Sequence, residues 1–170
     1  MRTILICVAI VMILFGLPSL ASAQNANSSM ATETPKRSMN PNMGTWKLNE
    51  TKSKFRAGSP KNHTVVYEAE GDMVKVIVDG VDGAGSATHS EWTGKFDGKY
   101  YAVTGDGNSD MRAYRQINSR TLGITGKLGD KITLTGRIMV SRDGRTRTVT
   151  TTSTNASGRK VTNTAVYDKQ

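Results

Sequence analysis

Cysteine is all but missing from this chain. The only one among 170 residues is Cys7, inside an apolar N-terminal run, so disulfides, thiolate metal ligands and a cysteine nucleophile are excluded from whatever folds beyond that run. Histidine is nearly as scarce, with His63 and His89 the only two. No close His-Glu or His-Asp repeat accompanies them, and a zinc site would require distant strands to converge. His89-Ser90-Glu91 does put His and Glu on one side of a strand, but no activated nucleophile or oriented acid-base pair lies nearby. Asp106-Gly107-Asn108-Ser109-Asp110 opens like a calcium loop, yet Met111 stands where that loop needs glycine and Ile117 where it needs its closing glutamate, so it reads as a hairpin loop. No enzyme, no metal and no cofactor is expected. After the first residues there is also no sustained helical repeat and no second apolar run long enough to span a bilayer, which excludes a helical bundle and a transmembrane segment after leader cleavage.

What is present begins with a short cationic start, Met1-Arg2-Thr3, followed by an uncharged apolar stretch from Ile4 to Leu17. Pro18 ends it, and Ala21-Ser22-Ala23 supplies the small residues that a signal peptidase accepts. The pattern predicts a signal peptide over residues 1–23, with Gln24 as the first mature residue. An uncleaved anchor would need about 20 apolar residues, and the run stops short of that. A lipoprotein would need a cysteine just past the run, where there is none. Export from the bacterial cytoplasm to the periplasm or the outside is the expectation.

Residues 24–42 are rich in Asn, Ser, Thr, Met and Pro and carry almost no apolar periodicity. They read as a flexible, disordered linker, leaving residues 43–170 as a single domain. Loss of Arg2 with the leader takes the net charge from +9 to +8. A basic exported protein favours anionic neighbours, which in a cell envelope are lipid head groups and acidic glycans; nucleic acid is not expected there. The massed cations, Arg142 to Arg147 and Arg159-Lys160, stand beside turns and read as solvated hairpin tips.

From Gly44 onward, short runs rich in Val, Ile, Thr, Tyr and Trp alternate with turn signals: Gly71-Asp72, Asp82 to Gly85, Asp97-Gly98, Gly105 to Gly107, Asn118-Ser119, Gly129-Asp130, Asp143-Gly144 and Ser157-Gly158. The class is all-β. Some 8–10 strands joined by tight hairpins in one open layer would leave bare edges and an uncovered apolar face, so the meander is expected to close into an up-and-down antiparallel barrel, monomeric and preceded by the leader helix and the tether. Period-two alternation then places Val74, Val76 and Val78 on one inward face, and Ile132, Leu134, Ile138 and Val140 on another with Gly136 between them. Trp92 and Phe96 flank Gly94 in one phase, and a glycine inside a strand marks a barrel corner. Arg147 shares its phase with Val149, Arg115 with Ala113 and Ile117, and Tyr167 with Val161 and Ala165, so two arginines and a tyrosine are candidates to face inward.

The Gly44-x-Trp46 start followed by a meander resembles the calycins, the group of lipocalins and fatty-acid-binding proteins. Val161 to Lys169 resembles the closing strand of the latter, which carries an Arg-x-Tyr pair that grips a ligand carboxylate. Tyr167 matches the tyrosine, but Ala165 holds the arginine position, so Arg115 or Arg147 would have to serve from another strand. The lid helices of that family do not fit between Glu50 and Asn62. The Gly44 to Asn49 opening with Lys52-Ser53-Lys54-Phe55 is also similar to exported proteins of environmental bacteria, which implies location and no chemistry. The resemblance implies a lipocalin-like barrel that holds a small apolar, lipid-like ligand, with Val76, Trp92, Leu134 and Ile138 as its wall and Arg115, Arg147 and Tyr167 as its polar contacts. Burying about ten methylenes is worth roughly 8 kcal/mol gross, against roughly 1.5–3 for a charged hydrogen bond, so the wall would set affinity and the arginine orientation. The alternative is a non-catalytic module whose basic tips meet anionic envelope surfaces.

Overall fold

The computed structural model describes residues 40–154 and 158–170; the expected leader and the tether as far as residue 39 lie outside the described residues. Ten strands follow one another: β1 (Gly44–Leu48), β2 (Lys61–Glu70), β3 (Met73–Val81), β4 (Ala87–Gly94), β5 (Tyr101–Thr104), β6 (Met111–Asn118), β7 (Thr121–Leu128), β8 (Lys131–Val140), β9 (Thr146–Thr154) and β10 (Lys160–Lys169). Each pairs antiparallel with its neighbours in sequence, and β1 closes the ring on β10 through Trp46↔Lys169, Lys47↔Asp168 and Leu48↔Tyr167. The closed all-β meander expected from the turn spacing is the fold. Its turns fall where glycine can take up positive φ. At Gly105 (φ +75°) no other residue fits, since a Cβ there would lie 2.1 Å from the His89 carbonyl oxygen.

Closure sorts the side chains. Trp46, Val65, Tyr67, Val76, Val78, Trp92, Tyr114, Leu122, Ile138 and Tyr167 are buried in one cluster, whereas Lys47 and Glu68 on neighbouring strands are exposed. Apolar inside and charged outside is the reverse of a lipid-facing barrel. Among the described residues, no helix is long and apolar enough to cross a membrane. Between β1 and β2 the chain makes one 3-10 turn, Glu50–Lys52, capped by Asn49, and then runs beside β10 through a bridge from Lys54 to Thr164. The barrel is filled at its middle: Trp46, Trp92, Leu122, Val76 and Arg147 are each less than 2% exposed.

Two phase assignments are corrected by the structure. Ile132 is 54% exposed, although two-residue periodicity sets it beside Leu134. Gly126 faces Leu134 while Lys127 faces Ile132, which leaves Thr133 without a partner. A bulge of one extra residue flips the side of everything beyond it. On β6 the inward residues are Arg112 and Tyr114, paired with Gly126 and Ile124, and Arg115 with Ile117 stands outside. That strand carries a cation and an apolar side chain in each phase, so alternation alone could not choose.

Gly94 has a packing role. A Cβ built there would come within 2.5 Å of the Trp92 ring and 2.6 Å of the Tyr101 ring, so the two aromatics close over the space that glycine leaves. Gly94→Ala is expected to lower stability by about 1–3 kcal/mol through overpacking, read as a shift of the urea midpoint at constant slope; an unchanged midpoint would show that the rings yield freely.

Candidate functional site

The polar centre of the interior is built on β9. Its sequence Thr146-Arg147-Thr148-Val149 alternates strictly, and Arg147 pairs with Val140 on one side and Tyr167 on the other, both buried inside the barrel. The arginine therefore points inward. Its guanidinium carbon lies 4.7 Å from the Tyr167 ring centre and 5.0 Å from those of Trp46 and Tyr67, a three-walled aromatic cage of cation–π geometry. Arg147 is 1% exposed, and its Nε and Nη1 find no hydrogen-bond partner.

Among the described residues, no carboxylate balances it. The other buried arginine, Arg112, forms an ion pair with Asp106, which is itself largely buried. The described interior thus holds two guanidinium groups and one carboxylate. Between the two cations stand Tyr67 and Tyr114, with ring centres 6.3 Å apart, and Trp92 packs edge-on to Tyr114 at 4.6 Å and stacks parallel to Phe96 at 6.4 Å. Trp92 Nε1–H donates to the Arg112 carbonyl at 3.0 Å, so burying this indole leaves no donor idle.

Burial also governs the tyrosines. It raises the Tyr67 hydroxyl well above the usual phenol range, with Tyr114 adding to the shift, and pushes Tyr167 from 10.0 up to about 12, with Arg147 opposing. Both sit as neutral phenols beside the cation. Between pH 10.0 and about 12 the folded chain keeps a proton on Tyr167 that the unfolded chain has released, so this contribution is complete below the lower value and is lost as pH climbs through the upper one. We expect urea midpoints to fall across that window and to fall less in Tyr167→Phe; equal slopes in the two proteins would contradict the burial.

Of the residues singled out by sequence, Arg147 and Tyr167 meet directly. Val76 lies opposite both Tyr67 and Trp92, tying the cage to the aromatic cluster. Ile138 is buried opposite Val149, and Leu134 packs at the margin of the core. Arg115 does not take part: it is exposed, lies opposite Gly123 and helps line a shallow outer groove of about 260 Å³ with Tyr100 and Ile117. Turning Arg147 inward also removes it from the basic hairpin tip, where Arg142 and Arg145 remain exposed.

Sequence reasoning missed Trp46 and Tyr67 as cage walls, and Arg112 with Asp106 as the second buried charge. On the outer surface, His89 Nδ1 lies 2.6 Å from Asp79 Oδ1 and its Nε2 lies 3.5 Å from Glu91 Oε1. The hydrogen bond with Asp79 raises its pKa. Among the described residues, no three of His, Cys, Asp or Glu converge on a metal-sized site.

No protein-family model matches the chain, and no curated protein matches it either. Among solved structures, that of EF1p2_mFAP2b bound to DFHBI is similar over 75% of this chain and 93% of its own, at 10% identity and a TM-score of 0.45.

Proposed function

We propose that this is an exported, non-enzymatic barrel that binds a small amphipathic molecule, apolar in its body and anionic at one end. One observation carries the reading. Arg147 is 1% exposed, is surrounded by rings rather than carboxylates, and has two nitrogens with nothing to donate to. A buried guanidinium costs several kcal/mol in desolvation, and each orphaned donor adds about 1–3. A carboxylate or similar planar anion would offset the charge and accept along one edge of the guanidinium, from Nη2 together with either Nε or Nη1, so that one of the idle donors is paired. Trp46, Tyr67 and Tyr167 keep water from competing, and Val76 and Ile138 supply apolar contact nearby. Because the middle of the barrel is filled by its own side chains, the ligand is small or takes room that part of the chain now occupies.

The reading is tested by fluorescence titration of the full mature chain with dansyl-undecanoic acid, using its methyl ester as control. Saturable binding of the acid is expected, weakened at least tenfold for the ester, which keeps the apolar body and loses the charge. Equal binding of both would remove Arg147 from the site, and no saturable binding of either would end the proposal.

A further inference from the structure

Asn42 precedes the first strand and is nevertheless 1% exposed. The residues around it form a compact turn: Met43 N–H donates to the Asn40 carbonyl at 3.0 Å, while the Asn42 backbone N–H and Nδ2 both donate to Asn40 Oδ1 at 3.0 Å. Few polar contacts fasten this turn to the barrel. Trp46 Nε1–H donates to the Asn42 carbonyl at 2.8 Å, Lys169 Nζ reaches the Pro41 carbonyl at 3.5 Å, and Met43 packs partly against the core.

The fastening point is also a wall of the cage. One indole, Trp46, faces the Arg147 guanidinium with its ring and holds the turn with its nitrogen. Asn42 Oδ1 is buried without a donor, and Arg147 Nε and Nη1 are buried without acceptors. Neither residue satisfies the other. The closed arrangement thus leaves unpaired polar groups on two residues that both contact Trp46, which is costly for buried groups and marks an element that gains by changing its partners.

We infer that Asn40–Met43 is a displaceable plug: it seals the end of the barrel over Trp46, and its release gives the anionic end of a ligand access to Arg147. This rests on the ligand-binding reading above and adds its gate. The plug is held by side-chain contacts outside the strand ladder, so it opens without unfolding the barrel. A ligand that binds only the open form draws the population toward it.

Indole hydrogen exchange, followed by NMR on the full mature chain, tests the plug without any ligand. Trp46 and Trp92 are equally buried and both donate to a backbone carbonyl, but the Trp92 acceptor, Arg112, lies within strand β6 and the Trp46 acceptor lies in the plug. The Trp46 indole N–H is expected to exchange at least tenfold faster than that of Trp92. Asn40→Ala, which removes the acceptor of both Asn42 donors, should widen the gap while leaving Trp92 and the thermal midpoint unchanged. The same variant should raise the association rate of dansyl-undecanoic acid several-fold. Equal exchange at the two indoles in both proteins overturns the plug whatever the probe does, and so does an association rate that Asn40→Ala leaves untouched. Fast exchange at Trp46 with no saturable probe binding supports the moving plug and overturns the ligand reading alone.

Discussion

Arg147→Met should make this protein more stable, by about 1–3 kcal/mol in urea unfolding at neutral pH, and should abolish its binding of dansyl-undecanoic acid. The sign comes from opposing magnitudes. Three cation–π contacts contribute roughly 2 kcal/mol each when desolvated. Against them stand an effective desolvation penalty of several kcal/mol and two orphaned donors at about 1–3 each. Methionine keeps the unbranched length and the apolar contact with Trp46, Tyr67 and Tyr167, removes the charge, and leaves no polar atom that needs a strong partner. Replacing a buried charged group by a well-packed apolar one of similar volume is commonly stabilising. A destabilised Arg147→Met protein would show that the cation holds the rings together, and the functional case would lose its support. A stabilised protein that has lost the probe is the signature of a site kept at the expense of stability.

Trp92→Ala is expected to cost the most of any single change, about 3–5 kcal/mol for the lost burial and the cavity together. The ring is 1% exposed and has aromatic neighbours in Tyr114, Phe96 and Tyr101. Each edge-to-face or stacked pair adds about 0.5–1.5 kcal/mol beyond its buried area, and the Arg112 carbonyl is left without its donor. Domains of this size are stable by about 5–15 kcal/mol, so the variant should melt far earlier or fail to accumulate. Trp92→Phe restores much of the volume and should recover most of the loss. If Trp92→Ala unfolded within about 1 kcal/mol of the parent, the aromatic cluster would not be the centre of the core, since surface substitutions alone cost so little.

How much of this could be read from the sequence follows from which forces act locally. Strand number and closure were legible because Gly and Asx turn signals punctuate the chain at hairpin spacing and no helical repeat competes with them. Arg147 and Tyr167 were legible as inward candidates because β9 and β10 keep an unbroken two-residue phase up to the site. Ile132 was not, since one extra residue at Thr133 reverses the phase and no side-chain pattern announces it. Arg115 was misplaced because β6 carries an arginine in each phase and the deciding partner, Asp106, lies in the preceding loop. Trp46 and Tyr67 could be recognised as walls around Arg147 only after β1 had been set against β10, a long-range pairing that no local preference encodes. Asn42 fell in a segment whose composition suggests a tether. Its carbonyl accepts from Trp46 and its neighbour Met43 packs against the core, contacts that no local pattern announces.

Where β1 meets β10, Gln170 N–H donates to the Thr45 carbonyl at 3.0 Å, so the two extremities of the barrel stand within a peptide's reach of each other. The ring consequently has no privileged starting strand. A short Gly-Ser link from residue 170 to residue 44, with fresh termini opened at the exposed turn around Gly129 and Asp130, would reorder the polypeptide while leaving every ladder in place. Such a permuted chain would carry the arginine and its surrounding rings intact, detached from everything that now leads into the first strand.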